Sequence, residues 1–218
     1  MESYRHRWGS GTEIYDGINA RQIALTFDDG PNDPYTFQLL DILAAHNVRA
    51  SFFMVGKYVR QRPDIAKAVV AAGHIIGNHT EKHLNLTSLS HEDVEAELRN
   101  CQDALEDSTG VRPSFYRPPY GASSGLVDRT AKTVGLKGVI WSVIPVDWEA
   151  TSTGLIVRRV CNDIDSREQG EIVLLHDGSP DRLGADRSRT VGAVRKLLAR
   201  YSAAGKEFVT VRELAVRP

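Results

Sequence analysis

The chain has 218 residues, 41% of them apolar and 25% charged, with 27 Lys+Arg against 28 Asp+Glu. That suits one α/β domain with a proper core, and the scattered, balanced charge excludes a basic nucleic-acid face or a polybasic membrane anchor. No stretch approaches the ~20 apolar residues that span a bilayer, and the opening MESYRHRWGSGTEIYDG lacks the apolar core of a signal peptide. As written the chain reads as soluble and cytoplasmic; a trimmed secreted protein has the same appearance.

Residues 1–20 read as an N-terminal extension and 21–218 as a single domain. The strand-like run RQIALTF (from Arg21) ends on two adjacent carboxylates, Asp28 and Asp29, and is followed by a helical pattern from Pro34 to His46. RASFFMVG (from Arg49) precedes a helix from Pro63 to Ala72, ended by Gly73. HIIGNH (from His74) precedes a long helix opened by Ser90, with Glu92 and Asp93 in its first turn. PSFYRPP (from Pro113), LKGVIWSV (from Leu136) and GEIVLLH (from Gly170) lead to helices near Gly125–Val134, Thr153–Asp165 and Arg189–Ala203, and KEFVTV (from Lys206) closes the series. Seven strands alternating with helices predict parallel pairing with crossover helices, in a barrel or a doubly wound sheet. In both, side chains at the C-terminal strand ends face the active site.

The chemistry-bearing residues crowd at those ends: Asp28 and Asp29, His79 and His83, Arg117 and Tyr120, Asp147 and Trp148, His176 and Asp177. Two carboxylates at the mouth of a fold are costly unless something neutralises them. A divalent cation does so, with one aspartate as ligand and the other held ionised by the cation's field. In NHTEKH, His79 and His83 converge either on one side of a helical turn or through a tight post-strand loop, and two imidazoles with a carboxylate leave coordination positions open for water. Taken alone, HxxxH reads equally well as two surface histidines. His176 is the one further histidine at a strand end, and a carboxylate partner such as Asp147 orients it and raises its pKa. The pattern suits metal-assisted hydrolysis, in which a metal-acidified water loses its proton to a neighbouring carboxylate.

The order TFDDGP, HTEKH, RPPYG, DW and LLHDG resembles the five motifs of the polysaccharide deacetylase family, the NodB-homology domain of carbohydrate esterases, from Arg21 to about Val211. The resemblance implies a distorted (β/α) barrel with about seven parallel strands. It implies Asp28 as general base, Asp29, His79 and His83 as metal ligands, and Arg117 as the partner that orients Asp28. His176 becomes the general acid, tuned by Asp147. The Tyr120 backbone N–H stabilises the oxyanion, and Trp148 and Leu174 wall the pocket for the acetyl methyl. It also implies one divalent ion, zinc first, with cobalt, nickel or iron as fitting alternatives. The substrate class is an acetylated oligo- or polysaccharide: chitooligosaccharide, peptidoglycan fragment or acetylxylan. WSV.P..DW and LLHDGSP are nearest to the chitooligosaccharide deacetylases. Ile144 departs from the pattern, standing where many relatives carry an aspartate, so the substrate contacts of that loop are open.

Two rival functions stand beside this one: a non-catalytic carbohydrate-binding protein on the same scaffold, and an amidase for a small non-sugar amide. A paired base and acid counts against the first; a small closed pocket favours the second. His6, His46 and His91 read as surface or capping residues, His74 as a core histidine, and Trp8 and Trp141 as packing before sugar stacking. The segment from Asp181 to Arg189 reads as a solvated loop able to rim a groove. Cys101 and Cys161 read as reduced thiols, with one incidental disulfide as the alternative.

Overall fold

The computed structural model describes residues 14–214, so His6 and Trp8 lie outside the described residues. Seven strands are found among them: β1 (Gln22–Gly30), β2 (Ser51–Met54), β3 (Ile75–Asn78), β4 (Phe115–Tyr116), β5 (Lys137–Gly138), β6 (Glu171–His176) and β7 (Glu207–Val209). All pair in parallel, in the order β5-β4-β3-β2-β1-β6, with β7 on the start of β1. The central strand, β1, is buried along all but its first residue, as a parallel strand covered on both faces must be. Beyond β5 the ring is carried by single bridges, Ile14 to Val139 and Val143 to Val173. The Ser142 and Val143 N–H groups donate to the Ile172 carbonyl, which ties the segment after β5 onto β6. The sheet thus curls into the distorted barrel that the resemblance implies.

The helices are α1 (Tyr35–Ala45), α2 (Gly56–Gln61), α3 (Pro63–Ala71), α4 (His91–Thr109), α5 (Gly125–Thr133), α6 (Thr153–Ile164) and α7 (Ser188–Ala203). Their ends follow local chemistry. Ser90, Ser124 and Ser152 cap α4, α5 and α6 through their hydroxyls, Pro63 opens α3, and Gly110 ends α4 in the left-handed conformation at φ 73°. The main core lies between the sheet and α1, α3, α4, α6 and α7, around Phe27, Leu39, Phe52, Leu105, Val160 and Leu197.

Two expectations are corrected. The PSFYRPP and LKGVIWSV runs shrink to two-residue strands; the prolines around the first lack the N–H a ladder needs. RASFFMVG stops pairing at Met54, and Gly56 opens α2, which has no side-chain cap to announce it. Residues 14–17 are stitched to the barrel, with Ile14 bonded to Gly138 and Ile140 and Gly17 to Gly170. Cys101 and Cys161 are free thiols. No helix among the described residues is long and apolar enough to cross a membrane.

Candidate active site

A period-two strand would send Asp28 and Asp29 to opposite faces. Here the register slips: Asp28 pairs with Phe53 and Gly30 with Met54, so Asp29 is bulged out, at φ 70°. The bulge re-aims its side chain, and both carboxylates line one cavity of about 770 Å³. Two glycines make room for the bulge. A Cβ on Gly178 would sit 2.0 Å from the Asp29 carbonyl, and one on Gly30 would sit 2.4 Å from the Asp177 carboxylate. The Asp177 and Gly178 N–H groups both donate to the Asp28 carbonyl, which locks the ends of β1 and β6 together.

Asp28 is held by Arg117, whose Nη1 lies 2.7 Å from Oδ1. The guanidinium is fully buried and stacks over Phe53 at 4.3 Å. It also donates to Thr26 Oγ1 and to the Val139 and Ile140 carbonyls. Burial pulls the Arg117 pKa down while the Asp28 charge resists. A buried ion pair is tolerated only when its remaining hydrogen-bonding capacity is met in this way.

His79 and His83 converge through the tight post-strand loop rather than a helical turn. The Asn78 side chain accepts from the Thr80 N–H, and the Thr80 hydroxyl accepts from the His83 N–H. Thr80 and His83 adopt left-handed backbone at φ 64° and 61°, an arrangement that persists only when the surroundings over-determine it. His79 Nδ1 lies 2.7 Å from the Arg117 carbonyl. Donation there leaves His79 Nε2 as a lone pair, the usual way a ligating histidine is oriented. His79 Nε2 and His83 Nε2 lie 3.5 and 3.3 Å from Asp29 Oδ1, and these three residues form the one such donor set found among the described residues.

The donor set fits a divalent cation. Asp29 Oδ1 is buried without a hydrogen-bond partner, which is costly unless a further charge is supplied. Burial works against charge on Asp29, yet the His79 ring beside it and the His176 and His83 charges hold its carboxyl well below the usual range. The histidines then split. Burial opposes protonation of both, but the Asp28 and Asp29 charges raise His79, whereas burial and the His79 charge push His83 down to about 4. By geometry, the Asp29 carboxylate and the His79 and His83 Nε2 atoms face one another as one carboxylate and two imidazole donors.

The opposite wall is built from the end of β6 and the loop before α6. His176 Nδ1 lies 2.8 Å from Asp147 Oδ1, and the His176 N–H donates to Asp147 Oδ2 at 2.9 Å. Burial again opposes charge, but the Asp147 carboxylate lifts His176 to about 9 and is itself held below the usual range. Asp147 follows Val146, a β-branched residue at φ 52°, ψ 54°, a strained conformation for that side chain. Arg159 of α6 clamps this turn through the Pro145 and Val146 carbonyls. The Trp148 ring stands edge-on to His176 at 4.9 Å, and the Tyr120 ring meets His83 in the same manner, also at 4.9 Å. Tyr120 and Trp148 are 61% and 43% exposed, so aromatic faces flank an otherwise buried centre.

The cavity wall thus brings together Asp28, Asp29, His79, His83, Tyr120, Trp148, Leu174 and His176, with Arg117 and Asp147 directly behind it. Ile144 supplies apolar wall, Trp141 lines the cavity while packing against Gly121, and Asp181 and Arg187 reach it from the loop before α7. Asp177 is a buried supporting residue, hydrogen-bonded to Thr36 and pushed by burial up to about 7. His74 is a core histidine whose Nδ1 accepts the Ala50 N–H. Sequence reasoning missed Thr26, Thr36, Arg159 and Thr190, which grip the site residues from other elements. Their partners are remote in sequence, so spacing carries no sign of them.

A parallel barrel with a cation donor set, a carboxylate–arginine pair and a histidine–carboxylate pair around one cavity defines a class, the barrel hydrolases that work with a divalent metal. Residues 17–139 match the model of the polysaccharide deacetylase family, and the chain belongs to that family. It is 40% identical over 198 residues to a peptidoglycan-N-acetylglucosamine deacetylase of Bacillus cereus, covering 90% of this chain and 89% of that one. It is 39% identical over 190 residues to a chitooligosaccharide deacetylase of Sinorhizobium fredii, covering 84% and 86%. A solved peptidoglycan N-acetylglucosamine deacetylase, Bc1960, superposes with a TM-score of 0.86 at 30% identity, covering 98% of this chain and 95% of that one.

Proposed function

We propose that this chain is a metal-dependent deacetylase that hydrolyses the acetamide of N-acetylglucosamine units in an oligo- or polysaccharide. The observation that carries the proposal is the convergence of Asp29, His79 and His83 between two proton-handling pairs, Asp28–Arg117 and His176–Asp147, on one cavity. The relatives named above support the substrate class, since both act on N-acetylated sugars by name.

Asp29, His79 and His83 hold the cation, with zinc the leading ion for two neutral imidazoles and one carboxylate. When bound, such an ion polarises the acetyl carbonyl and acidifies a water. Asp28 takes the proton of the attacking water, kept in line by its hydrogen bond from Arg117 Nη1. The Tyr120 backbone N–H donates to the oxygen on which charge develops. His176, protonated through its pairing with Asp147, gives its Nε2 proton to the departing nitrogen as the C–N bond breaks. Trp148 and Leu174 enclose the acetyl methyl. The cavity volume falls within the ~300–1,000 Å³ of small-molecule sites, but its exposed aromatic flanks suit a sugar chain better than a sequestered small amide.

The test is acetate release from N-acetylated chitooligomers, peptidoglycan fragments and acetylxylan by zinc-loaded and chelated protein. Zinc-dependent release from an N-acetylated glycan is expected. Zinc binding without acetate from any glycan sinks the proposal and favours a non-catalytic binding role.

A further inference from the structure

Asp147 Oδ2 has a second partner, contributed by a third element. The Thr190 hydroxyl, in the first turn of α7, donates to it at 2.7 Å, and Thr190 is 1% exposed. Thr190 is the third residue of α7, where the carbonyl four residues back precedes the helix, so its hydroxyl is free to bond across to another element, and it bonds to the carboxylate. With it, Asp147 accepts three bonds: His176 Nδ1–H on Oδ1, and the His176 N–H and Thr190 O–H on Oδ2. The carboxylate plane is thereby set from β6 and α7 at once, and with it the His176 ring. Asp147 also follows the strained Val146, at a turn that Arg159 holds through the Pro145 and Val146 carbonyls.

We infer that Thr190 is a positioning residue for the proton-donating step, acting through Asp147 to hold His176 where its Nε2 proton reaches the leaving atom. The inference rests on the deacetylase reading above. Valine is the informative substitution, because it keeps the β-branched shape and removes only the hydroxyl. General acid catalysis contributes about 10²–10⁴-fold where the leaving group needs a proton, so partial misalignment of the acid costs part of that factor. An amide nitrogen cannot leave unprotonated; a nitrophenolate can.

The experiment compares zinc-loaded wild type, Thr190→Val and Thr190→Ser on N-acetylated chitooligomers and on 4-nitrophenyl acetate. For Thr190→Val, kcat on the amide should fall about tenfold, with KM unchanged, while turnover of the aryl ester stays within about twofold. Thr190→Ser, which restores the hydroxyl, should recover most of the amide activity. An equal fall on both substrates means a merely structural role and overturns the inference, as does an unchanged amide rate. Should Thr190→Val not fold, Thr190→Ala takes its place: a fall on the amide with the aryl ester retained supports the inference, and an equal fall on both or an unchanged amide rate overturns it. Failure of the deacetylase reading is separate: wild type itself would then leave the amide untouched.

Discussion

The two walls of the cavity are built on opposite electrostatic plans. On the β1–β3 wall, Asp28, Asp29, His79 and His83 are all buried, yet Asp29 Oδ1 has no hydrogen-bond partner. On the β6–α7 wall, both oxygens of Asp147 are engaged by His176 and Thr190. One wall is complete as folded; the other is complete only with a further positive charge. Metal affinity and proton transfer are therefore separable, and substitutions on the two walls should fail in different ways.

The largest effect is expected from His79→Ala. It removes a ligand from a three-residue set, and zinc should no longer copurify or titrate tightly, with deacetylation falling by about 10³-fold or more. Full zinc retention would show that the first wall is not a metal site. Asp28→Asn breaks the same wall differently. Zinc content should stay near wild type while kcat drops by about 10²–10⁴-fold, the range for a lost general base. Loss of zinc would mean that Asp28 ligates and that the division between the adjacent carboxylates is wrong.

The complete wall gives a pH signature. His176 is raised to about 9 by Asp147, so its protonated form persists up to that pH and is lost above it. An acid that must be protonated therefore sets the upper limb of the activity profile. Asp147→Asn removes the charge and should draw that limb down toward the ordinary histidine value of ~6.5, with an amide rate at pH 8 lower by about tenfold or more. A bound cation lowers the limb in both proteins alike, so the difference between them is what counts. Coincident limbs would remove His176 from the acid role.

Much of this plan was legible in the sequence because strand-end residues in a parallel fold share one rim. QIALTF reads as a buried strand, Ser90 opens α4, and the five polar clusters fall together at strand ends. Three features were illegible for physical reasons. The bulge at Asp29 depends on pairing with β2, which no local pattern encodes. The His79–His83 loop is set by Asn78 and Thr80 acting together against the backbone, so an HxxxH spacing is compatible with helix or loop. Thr190 stands 43 residues from Asp147, and in RSRTV it reads as a helix-start threonine. Local chemistry marks which residues matter; only packing decides which of them hold the others.

The smallest expected effect concerns the two ends of β3, where His74 and His79 are both buried but in different company. His79 faces Asp28 and Asp29 and is raised. His74, at the other end, accepts the Ala50 N–H and has only Arg49 as a charged influence, so burial first and that charge second push it down to about 4. The folded state thus prefers neutral His74, whereas the unfolded chain protonates it near ~6.5. The resulting stability is fully present above ~6.5 and is lost as pH falls through about 4. Allowing for solvent at the ring's edge, it is worth about 1–2 kcal/mol. His74→Gln keeps an acceptor for Ala50 but cannot titrate, so urea unfolding of both proteins under chelation should show a shallower acid loss for the variant between those values. Parallel curves would mean that His74 stays charged in the fold, and that burial without a carboxylate neighbour does not separate the two ends of the strand.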